Sequence, residues 1–317
     1  MDKVFLTILN MSLISSFVIA VVLAARLFLR RAPKIYSYVL WAVVLFNLLC
    51  PFKFKSVFSL MPFGATPISE DTLVKAPAMY MGAPVAGKLN PPGNAGNNSI
   101  PANPPVVTAN TSSINDTPGS SAFSKENWLI YINWLWLAGI AGMLFYAAVS
   151  LALLKRKLRF ATKLGKETYE TDLIRSPFVL GIVSPKIYLP VGMAMNDLAY
   201  ILLHEQTHIK RRDYLIKPLS YLALAIHWFN PLVWLAYFLL GKDMEMSCDE
   251  YVLKKMGHGN GNIKEIYSTA LLRFATGKRL IGLSPLAFGE GSAKERIMNV
   301  LNFRKPSRWV VAIAPYW

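Results

Sequence analysis

Long runs of apolar residues dominate the first half of the chain. Residues 4–25 form a stretch of 22 residues without a charged side chain, long enough to cross a bilayer as a helix. Residues 35–52 form a second apolar run, and residues 128–154 form a third that ends at basic residues. Arginines follow the first run instead of preceding it, which is the wrong polarity for a cleaved signal peptide. We therefore expect three transmembrane helices.

The positions of the basic residues predict how these helices are oriented. The nine-residue turn between the first two runs carries four basic side chains, at Arg26, Arg30, Arg31 and Lys34. Because basic residues accumulate on the cytoplasmic side, we expect residues 1–55 to form two transmembrane helices with a cytoplasmic turn. Residues 56–127, rich in Pro, Gly, Asn and Ser, are then an external, largely disordered loop. Residues 128–154 return the chain to the cytoplasm, where 24 of its 34 basic residues follow.

The pattern changes to a period of two after residue 167. Residues 168–171 alternate, residues 178–183 are rich in β-formers, and residues 186–190 follow a Ser-Pro turn signal. This predicts a small β-ribbon. Its last strand contains Ile187, Tyr188 and Leu189, which are candidates to pair with an extended peptide substrate by β-augmentation. The alternative is that the ribbon only packs on the following helix.

Composition narrows the class of protein. The chain is 54% hydrophobic and only 16% charged, with a mean hydropathy of +0.35, which argues against a single soluble domain. The net charge of +16 does not require nucleic acid, since the basic residues flank apolar runs and suit a membrane surface. Two cysteines, Cys50 and Cys248, are too few for a disulfide framework or a zinc–thiolate cluster.

The most informative motif is His204-Glu205-Gln206-Thr207-His208 in a stretch with helical periodicity. Histidines four residues apart on a helix lie on the same face, so both imidazoles can bind one metal ion. Glu205 then projects beside the metal, close enough to accept a proton from water. The alternative is an ordinary polar helix face. We expect a zinc site with His204 and His208 as ligands and Glu205 as the catalytic base.

A catalytic zinc needs a third protein ligand. Glu245 is the preferred candidate, at the beginning of a predicted helix, and Asp249 lies one turn later on the same face, where it can accept the free N–H of a ligating histidine. Glu250 is the alternative if the helical phase differs. Both acids could instead form a solvated face that pairs with nearby lysines. His227 and His258 are weaker candidates, in an apolar run and a glycine-rich turn.

Residues 218–240 lie between the two half-sites and contain no charged side chain, so by length they resemble a fourth span. A full crossing would separate Glu245 from the histidines. Because Asn230-Pro231 breaks a helix, we predict two short helices, over residues 218–229 and 231–242, in a re-entrant or interfacial hairpin. His227 and Asn230 are placed to satisfy its backbone groups, with a ligand or gating role for His227 as the alternative.

Two further groups of charges have simpler interpretations. Arg211, Arg212 and Asp213 are expected to be helix-end charges near lipid headgroups. Lys294, Arg296, Arg304 and Lys305 form a basic stretch that is either a signalling or self-cleavage segment or a contact with anionic lipid.

Together these residues resemble the BlaR/MecR-type membrane zinc metallopeptidases, the penicillinase-regulator antirepressor family. The resemblance is carried by the basic inner turn and by residues 176–181, 187–190, 204–208, 211–213, 227–231 with Trp234, and 245–250. It implies a mainly α fold, in which polytopic membrane helices carry a cytoplasm-facing, gluzincin-like zinc metalloprotease domain over residues 155–308. It also implies His204, His208 and Glu245 as zinc ligands, with Glu205 as general base.

The expected activity is that of an integral-membrane zinc endopeptidase of the bacterial cell membrane. The family resemblance implies a protein substrate, often a cytoplasmic transcriptional repressor or the enzyme's own chain, without direct nucleic-acid binding. The alternative is a zinc-containing receptor or scaffold that does not hydrolyse peptides. A transporter fragment is disfavoured, because no pair of matching interrupted helices is present.

This sequence departs from well-known family members in its last segment. Those members carry an external penicillin-binding sensor domain after a final span. Residues 309–317 resemble the start of such a span, and no Ser lies three residues before a Lys, so the acylatable Ser-x-x-Lys signature is absent. We therefore expect either a truncated sequence or a member without the sensor domain.

Overall fold

The computed structural model describes residues 2–50, 128–257, 262–275 and 293–303. Within these ranges the chain is mainly helical, with eight α-helices, one 3-10 turn and four short strands. The expected external loop, residues 309–317 and His258 lie outside the described residues.

The apolar runs form helices α1 (Asp2–Phe28), α2 (Lys34–Leu49) and α3 (Trp128–Leu158), with a 3-10 turn at Leu29–Arg31. By length and composition, α1 and α3 can each cross a membrane, over Val4–Phe28 and Ile130–Leu158. The 16 residues of α2 extend only about 24 Å, less than the roughly 30 Å hydrocarbon core. The second predicted span is therefore shorter than expected.

The predicted ribbon is a four-stranded sheet of β1 (Thr162–Lys163), β2 (Thr168–Thr171), β3 (Phe178–Leu180) and β4 (Lys186–Pro190). The strand order is β1-β2-β4-β3. Strand β4 runs parallel to β2 and antiparallel to β3, whereas β1 and β2 are antiparallel.

This topology corrects the expectation that a substrate pairs with β4. Ile187 and Tyr188 are paired with β2 on one side and with β3 on the other, and Leu189 is paired with β2. The side chains of Ile187 and Leu189 are buried against Ile201 of the next helix, α4 (Met195–Lys210). Their role is therefore to hold the sheet on α4, and β3 is the edge strand on this side of the sheet.

The apolar segment between the half-sites does turn back on itself. Helix α5 (Asp213–Ile226) is followed by a short connection and then by α6 (Pro231–Met256). The two predicted helices are present but their bounds are wrong, because α5 begins before Pro218 and α6 continues past Lys242. The re-entrant or interfacial placement of this hairpin stays a prediction. Glu245 consequently lies in the middle of α6, not at the start of a separate helix.

The connection between α5 and α6 is held by polar side chains. Asn230 caps α6 by accepting a hydrogen bond from the Leu232 amide at 2.9 Å. The carbonyl of Ile226 accepts from the Trp136 indole of α3 at 2.9 Å, and the carbonyl of Trp228 accepts from Trp234 at 2.8 Å. Backbone groups freed by the helix break are thus paired inside the protein, as an apolar environment requires.

Helices α1, α2, α5 and α6 share one apolar core. Its buried residues include Ile19, Trp41, Leu224, Val233 and Met244, each no more than 2% exposed. One polar contact is built into this packing. Asp243 of α6 is fully buried, accepts two hydrogen bonds from Arg26 of α1, both at 2.8 Å, and a third from Trp41 of α2 at 2.9 Å.

A second apolar core joins α6 to the last two described helices, α7 (Ile263–Ala275) and α8 (Ala293–Leu301). It consists of Val252, Leu253, Ile263, Tyr267 and Val300. This core places α7 and α8 against the half of α6 that carries Glu245 and Asp249.

Candidate metal centre

The two histidines of α4 and the central glutamate of α6 meet in the interior. His204, His208 and Glu245 are each no more than 5% exposed. The two Nε2 atoms are 3.2 Å apart, and the Glu245 oxygens lie 3.4 Å from His204 Nε2 and 3.5 Å from His208 Nε2. Residues separated by 41 positions in sequence therefore bring three donor atoms within 4.8 Å of one another.

These separations suit a tetrahedral ion. Zinc binds imidazole nitrogen and carboxylate oxygen at about 2.0–2.2 Å, so neighbouring ligand atoms of a tetrahedral site are about 3.3–3.6 Å apart. The 3.2 Å separation of the imidazole nitrogens lies close to that range, and the Glu245 carboxylate approaches His204 through Oε2 at 3.4 Å and His208 through Oε1 at 3.5 Å. The donor set also matches zinc chemistry, since two imidazoles and one carboxylate leave a fourth position open.

The imidazole of His208 is held from behind by Asp213. Its Nδ1 lies 2.8 Å from Asp213 Oδ2, and the other oxygen of Asp213 accepts a hydrogen bond of 2.6 Å from the hydroxyl of Tyr38 in α2. Asp213 is fully buried. The expectation that Asp213 is a charge near lipid headgroups is therefore wrong.

Arg211 is also directed inward. Its guanidinium lies over the Tyr38 ring at 4.5 Å and donates to Ser247 Oγ at 2.9 Å. The chain turns between α4 and α5 at Arg212, which has a φ of 59°. This sharp turn brings Asp213 back under the helix that carries His208.

His204 is held from behind by Asp249. The two are 3.2 Å apart between Nδ1 and Oδ1, and the hydroxyl of Tyr267 lies 2.8 Å from the same oxygen and 3.1 Å from His204 Nδ1. Arg296 of α8 binds Asp249 with two hydrogen bonds of 2.7 and 2.8 Å. The structure thus places Asp249 where the sequence suggested, and it adds Tyr267 and Arg296.

The position of Arg296 corrects the interpretation of the basic stretch around residue 294. Arg296 is only 12% exposed at its side chain, and its guanidinium lies 3.2 Å from Glu245 Oε2 and 3.4 Å from His204 Nε2. It therefore contacts the donor cluster, not lipid. Arg304 and Lys305 lie outside the described residues.

Comparison with known proteins agrees with this arrangement. The family model described as BlaR1 peptidase M56 matches residues 6–300. The chain belongs to the M56 peptidase family. Membership indicates a peptidase of the metallo type, and with two apolar helices it favours a membrane location.

Individual relatives of this M56 chain match shorter stretches. It is 33% identical over 160 residues to regulatory protein BlaR1 of Bacillus licheniformis, which is 48% of this chain and 26% of that protein. It is 34% identical over 113 residues to methicillin resistance mecR1 protein of Staphylococcus aureus, which is 34% of this chain and 19% of that protein. The chain thus spans about a quarter or less of these relatives.

The charges around the M56 centre favour protons on its histidines when no cation is bound. Burial alone would lower the pKa of His204, but hydrogen bonds to Asp249 and Glu245 outweigh it and raise that pKa to about 9. Burial alone would raise the pKa of Asp249, but the Arg296 guanidinium lowers it to about 2. The centre is built to stabilise positive charge between its carboxylates.

Glu245 is ionised for the same reason. Burial would raise its pKa, but the neighbouring His208 and the Lys217 ammonium, 3.4 Å from Oε1, hold the pKa well below its usual range. A permanently charged carboxylate facing two imidazoles is a suitable third ligand for a divalent cation.

Glu205 lies one residue after His204 on α4 and is 7% exposed. Within the described ranges, no side chain or amide is hydrogen-bonded to its carboxylate.

The alternative candidates lie elsewhere. Glu250 accepts a hydrogen bond of 2.8 Å from the Lys34 amide at the start of α2 and faces away from the donor cluster. His227 is fully buried beyond the far end of α5, about 20 Å along the helix from Asp213, and its Nδ1 bonds the Ala223 carbonyl at 3.0 Å. Neither residue joins the centre.

A second group of donors, His208, Asp213 and Cys248, is also compact enough to hold a metal. It would use His208 Nδ1, which already lies 2.8 Å from Asp213. The Cys248 sulfur also receives a hydrogen bond of 3.3 Å from the Arg211 guanidinium, whose charge opposes a cation there. The cluster with Glu245 is therefore the better metal site.

Proposed function

We propose that this chain is a zinc-dependent endopeptidase of the cytoplasmic membrane that hydrolyses a cytoplasmic protein during transmembrane signalling. Its substrate is a transcriptional regulator or the enzyme's own chain. His204, His208 and Glu245 hold the zinc, Glu205 is the catalytic base, and Asp249 orients His204. The observation that carries the proposal is the meeting of three buried donor residues whose ligand atoms lie within 4.8 Å of one another, each imidazole backed by a carboxylate.

Zinc bound by these residues would supply a Lewis acid that polarises the scissile carbonyl and acidifies water. Residues of this chain would orient the ligands and transfer the protons. Asp213 and Asp249 keep the proton of each imidazole on Nδ1, so that both Nε2 lone pairs face the site. Glu205 takes a proton from the attacking water and passes it to the leaving amine.

The surroundings support a peptide substrate. Strand β3 is the edge of the sheet that packs on α4, and an extended backbone can add to such an edge. We propose that the site faces the cytoplasm, with α1 and α3 crossing the bilayer and α2 packed beside α1. Contact with anionic lipid accounts for Arg30, the exposed arginine of the basic turn after α1, whereas Arg26 of that turn is bonded to Asp243.

The direct test is Glu205→Gln, which removes the base and leaves all three donors. The purified full chain in lipid nanodiscs is loaded with zinc and incubated with a library of peptides. Wild type should cleave, whereas Glu205→Gln should retain one zinc per chain and lose at least about a hundredfold of its rate, the contribution of a general base.

Glu265→Gln is the matched control, since Glu265 is an exposed glutamate on α7. It should cleave like wild type. Equal cleavage by Glu205→Gln and wild type would refute the assignment of the base.

A second candidate is a zinc-containing receptor or transducer scaffold without peptidase activity. The observation that favours it is the Arg296 guanidinium beside His204 Nε2 and Glu245, which narrows the space around the donors. One zinc per chain, together with no turnover by wild type on any peptide or repressor, would support this candidate.

A further inference from the structure

Helix α2 is bonded to the metal-site region at three points. The Tyr38 hydroxyl donates to Asp213, the Trp41 indole to Asp243, and the Lys34 amide to Glu250. Only the Tyr38 bond is connected to a candidate metal ligand, because its acceptor, Asp213, also contacts His208. The other two end on α6 residues outside the donor cluster.

Tyr38 and His208 together fix the Asp213 carboxylate. Oδ1 accepts the Tyr38 hydroxyl at 2.6 Å, and Oδ2 lies 2.8 Å from His208 Nδ1. Because both oxygens are engaged and Asp213 is fully buried, the carboxylate plane cannot rotate without losing a bond. Outer hydrogen bonds of this kind set the tautomer and direction of a ligating imidazole.

The equivalent support of His204 is built differently. Asp249 is held by Tyr267 of α7 and Arg296 of α8, both from the region after α6. Asp213 instead depends on a residue 175 positions earlier, on a helix that packs beside α1. One imidazole is thus supported by the C-terminal helices and the other by the N-terminal helix pair.

We propose that Tyr38 is a positioning residue for the metal centre, through which the placement of α2 sets the affinity of the site for zinc. The proposal rests on the proposed function, because it requires that His208 binds the metal. A shift of α2 would remove the hydrogen bond on Oδ1 of Asp213 and so loosen His208. The N-terminal helices would then control the peptidase through a single hydrogen bond.

Tyr38→Phe isolates this bond. The ring remains, and with it the packing under the Arg211 guanidinium at 4.5 Å, while the donor to Asp213 is lost. Trp41→Phe is the matched control, because it removes a different hydrogen bond between α2 and α6 and leaves the path to His208 intact.

The experiment measures zinc affinity by competition with a chromophoric chelator, on the full chain in nanodiscs. Loss of one outer-shell bond typically weakens metal binding by 10–100-fold, and Tyr38 is one bond further out, so Tyr38→Phe should bind zinc about tenfold more weakly. Trp41→Phe should stay within about twofold of wild type. Thermal unfolding of the metal-free variants is followed in parallel.

Wild-type affinity in Tyr38→Phe would overturn the proposal. The proposal would also be overturned if Tyr38→Phe and Trp41→Phe lost equal zinc affinity and equal unfolding temperature. That result would mean that zinc affinity depends on the general packing of α2 and not on the Tyr38 hydrogen bond. Absence of zinc binding by wild type would overturn both this proposal and the proposed function. If Tyr38→Phe weakens zinc binding and wild type cleaves nothing, the proposed function fails and the role of Tyr38 stands.

Discussion

At the scale of single residues, the centre repeats one arrangement twice. Each imidazole has its Nδ1 close to a buried aspartate, and each aspartate accepts a hydrogen bond from a tyrosine hydroxyl. The negative charge of these acids favours either a proton or a metal ion on the imidazole pair. Protons and zinc must therefore compete for the site.

This competition predicts how zinc binding depends on pH. The pKa of His204 is about 9 without metal, so at pH 7 its imidazole carries a proton that zinc must displace. Burial would lower the pKa of His208, but Glu245 and other neighbouring groups outweigh it and raise that pKa well above its usual value, so zinc displaces a proton here too. Zinc affinity should therefore rise by at least about tenfold per pH unit between pH 7 and pH 8 and level off once the pH passes the pKa values of both histidines. Chelator competition across this range measures it, and an affinity that does not change with pH would contradict the assigned charge state.

Some residues of the metal centre could be predicted from the sequence and others could not. The four-residue spacing of His204 and His208 places them on one face of a helix, and the same reasoning suggested Asp249 from Glu245. Asp213, Tyr38 and Arg296 could not be assigned, because their roles depend on contacts between distant segments and on the turn at Arg212. Charge alone suggested a membrane surface for Asp213 and Arg296, whereas Asp213 is fully buried and the side chain of Arg296 is only 12% exposed and contacts Glu245.

At the scale of elements, α6 is the central helix of the described fold. It carries Glu245 and Asp249 and packs against α1, α2, α4 and α5 along its length. The break at Asn230-Pro231 was predictable from the sequence, since proline cannot continue the preceding helix. The length of α6 was not predictable. The change from apolar to charged residues near Lys242 suggested a helix boundary, but the helix continues through it to the residues that form the site.

The bond from Arg26 of α1 to Asp243 of α6 is an ion pair within this assembly. Arg26→Met removes both hydrogen bonds and leaves a fully buried carboxylate whose remaining hydrogen-bond partner, within the described part of the chain, is Trp41. We expect it to destabilise the fold by about 3 kcal/mol, as for other ion pairs broken at one partner. Arg30→Met, at an exposed residue one turn later, should have little effect.

Thermal unfolding of both variants in the same detergent measures the difference. If Arg26→Met unfolds at the same temperature as Arg30→Met, the Asp243 contact does not hold α1 to α6.

At the scale of the whole molecule, an apolar hairpin separates two stretches of chain that must share one ion. Residues 218–240 are long enough to cross a bilayer, and a crossing would place Glu245 far from the histidines. The described fold instead returns α6 beside α4, so that Glu245 lies 3.4 Å from His204. The mainly helical architecture and the small sheet were predictable from periodicity, whereas the strand order that makes β4 internal was not.

X-ray absorption at the zinc edge tests this shared centre most directly. The purified full chain should hold one zinc, with only nitrogen and oxygen donors at about 2.0–2.2 Å and the multiple-scattering signature of two imidazoles. Glu245→Ala should lose an oxygen donor from that spectrum. A sulfur donor near 2.3 Å would place the metal at Cys248, and a spectrum unchanged by Glu245→Ala would show that α4 and α6 do not hold the ion together.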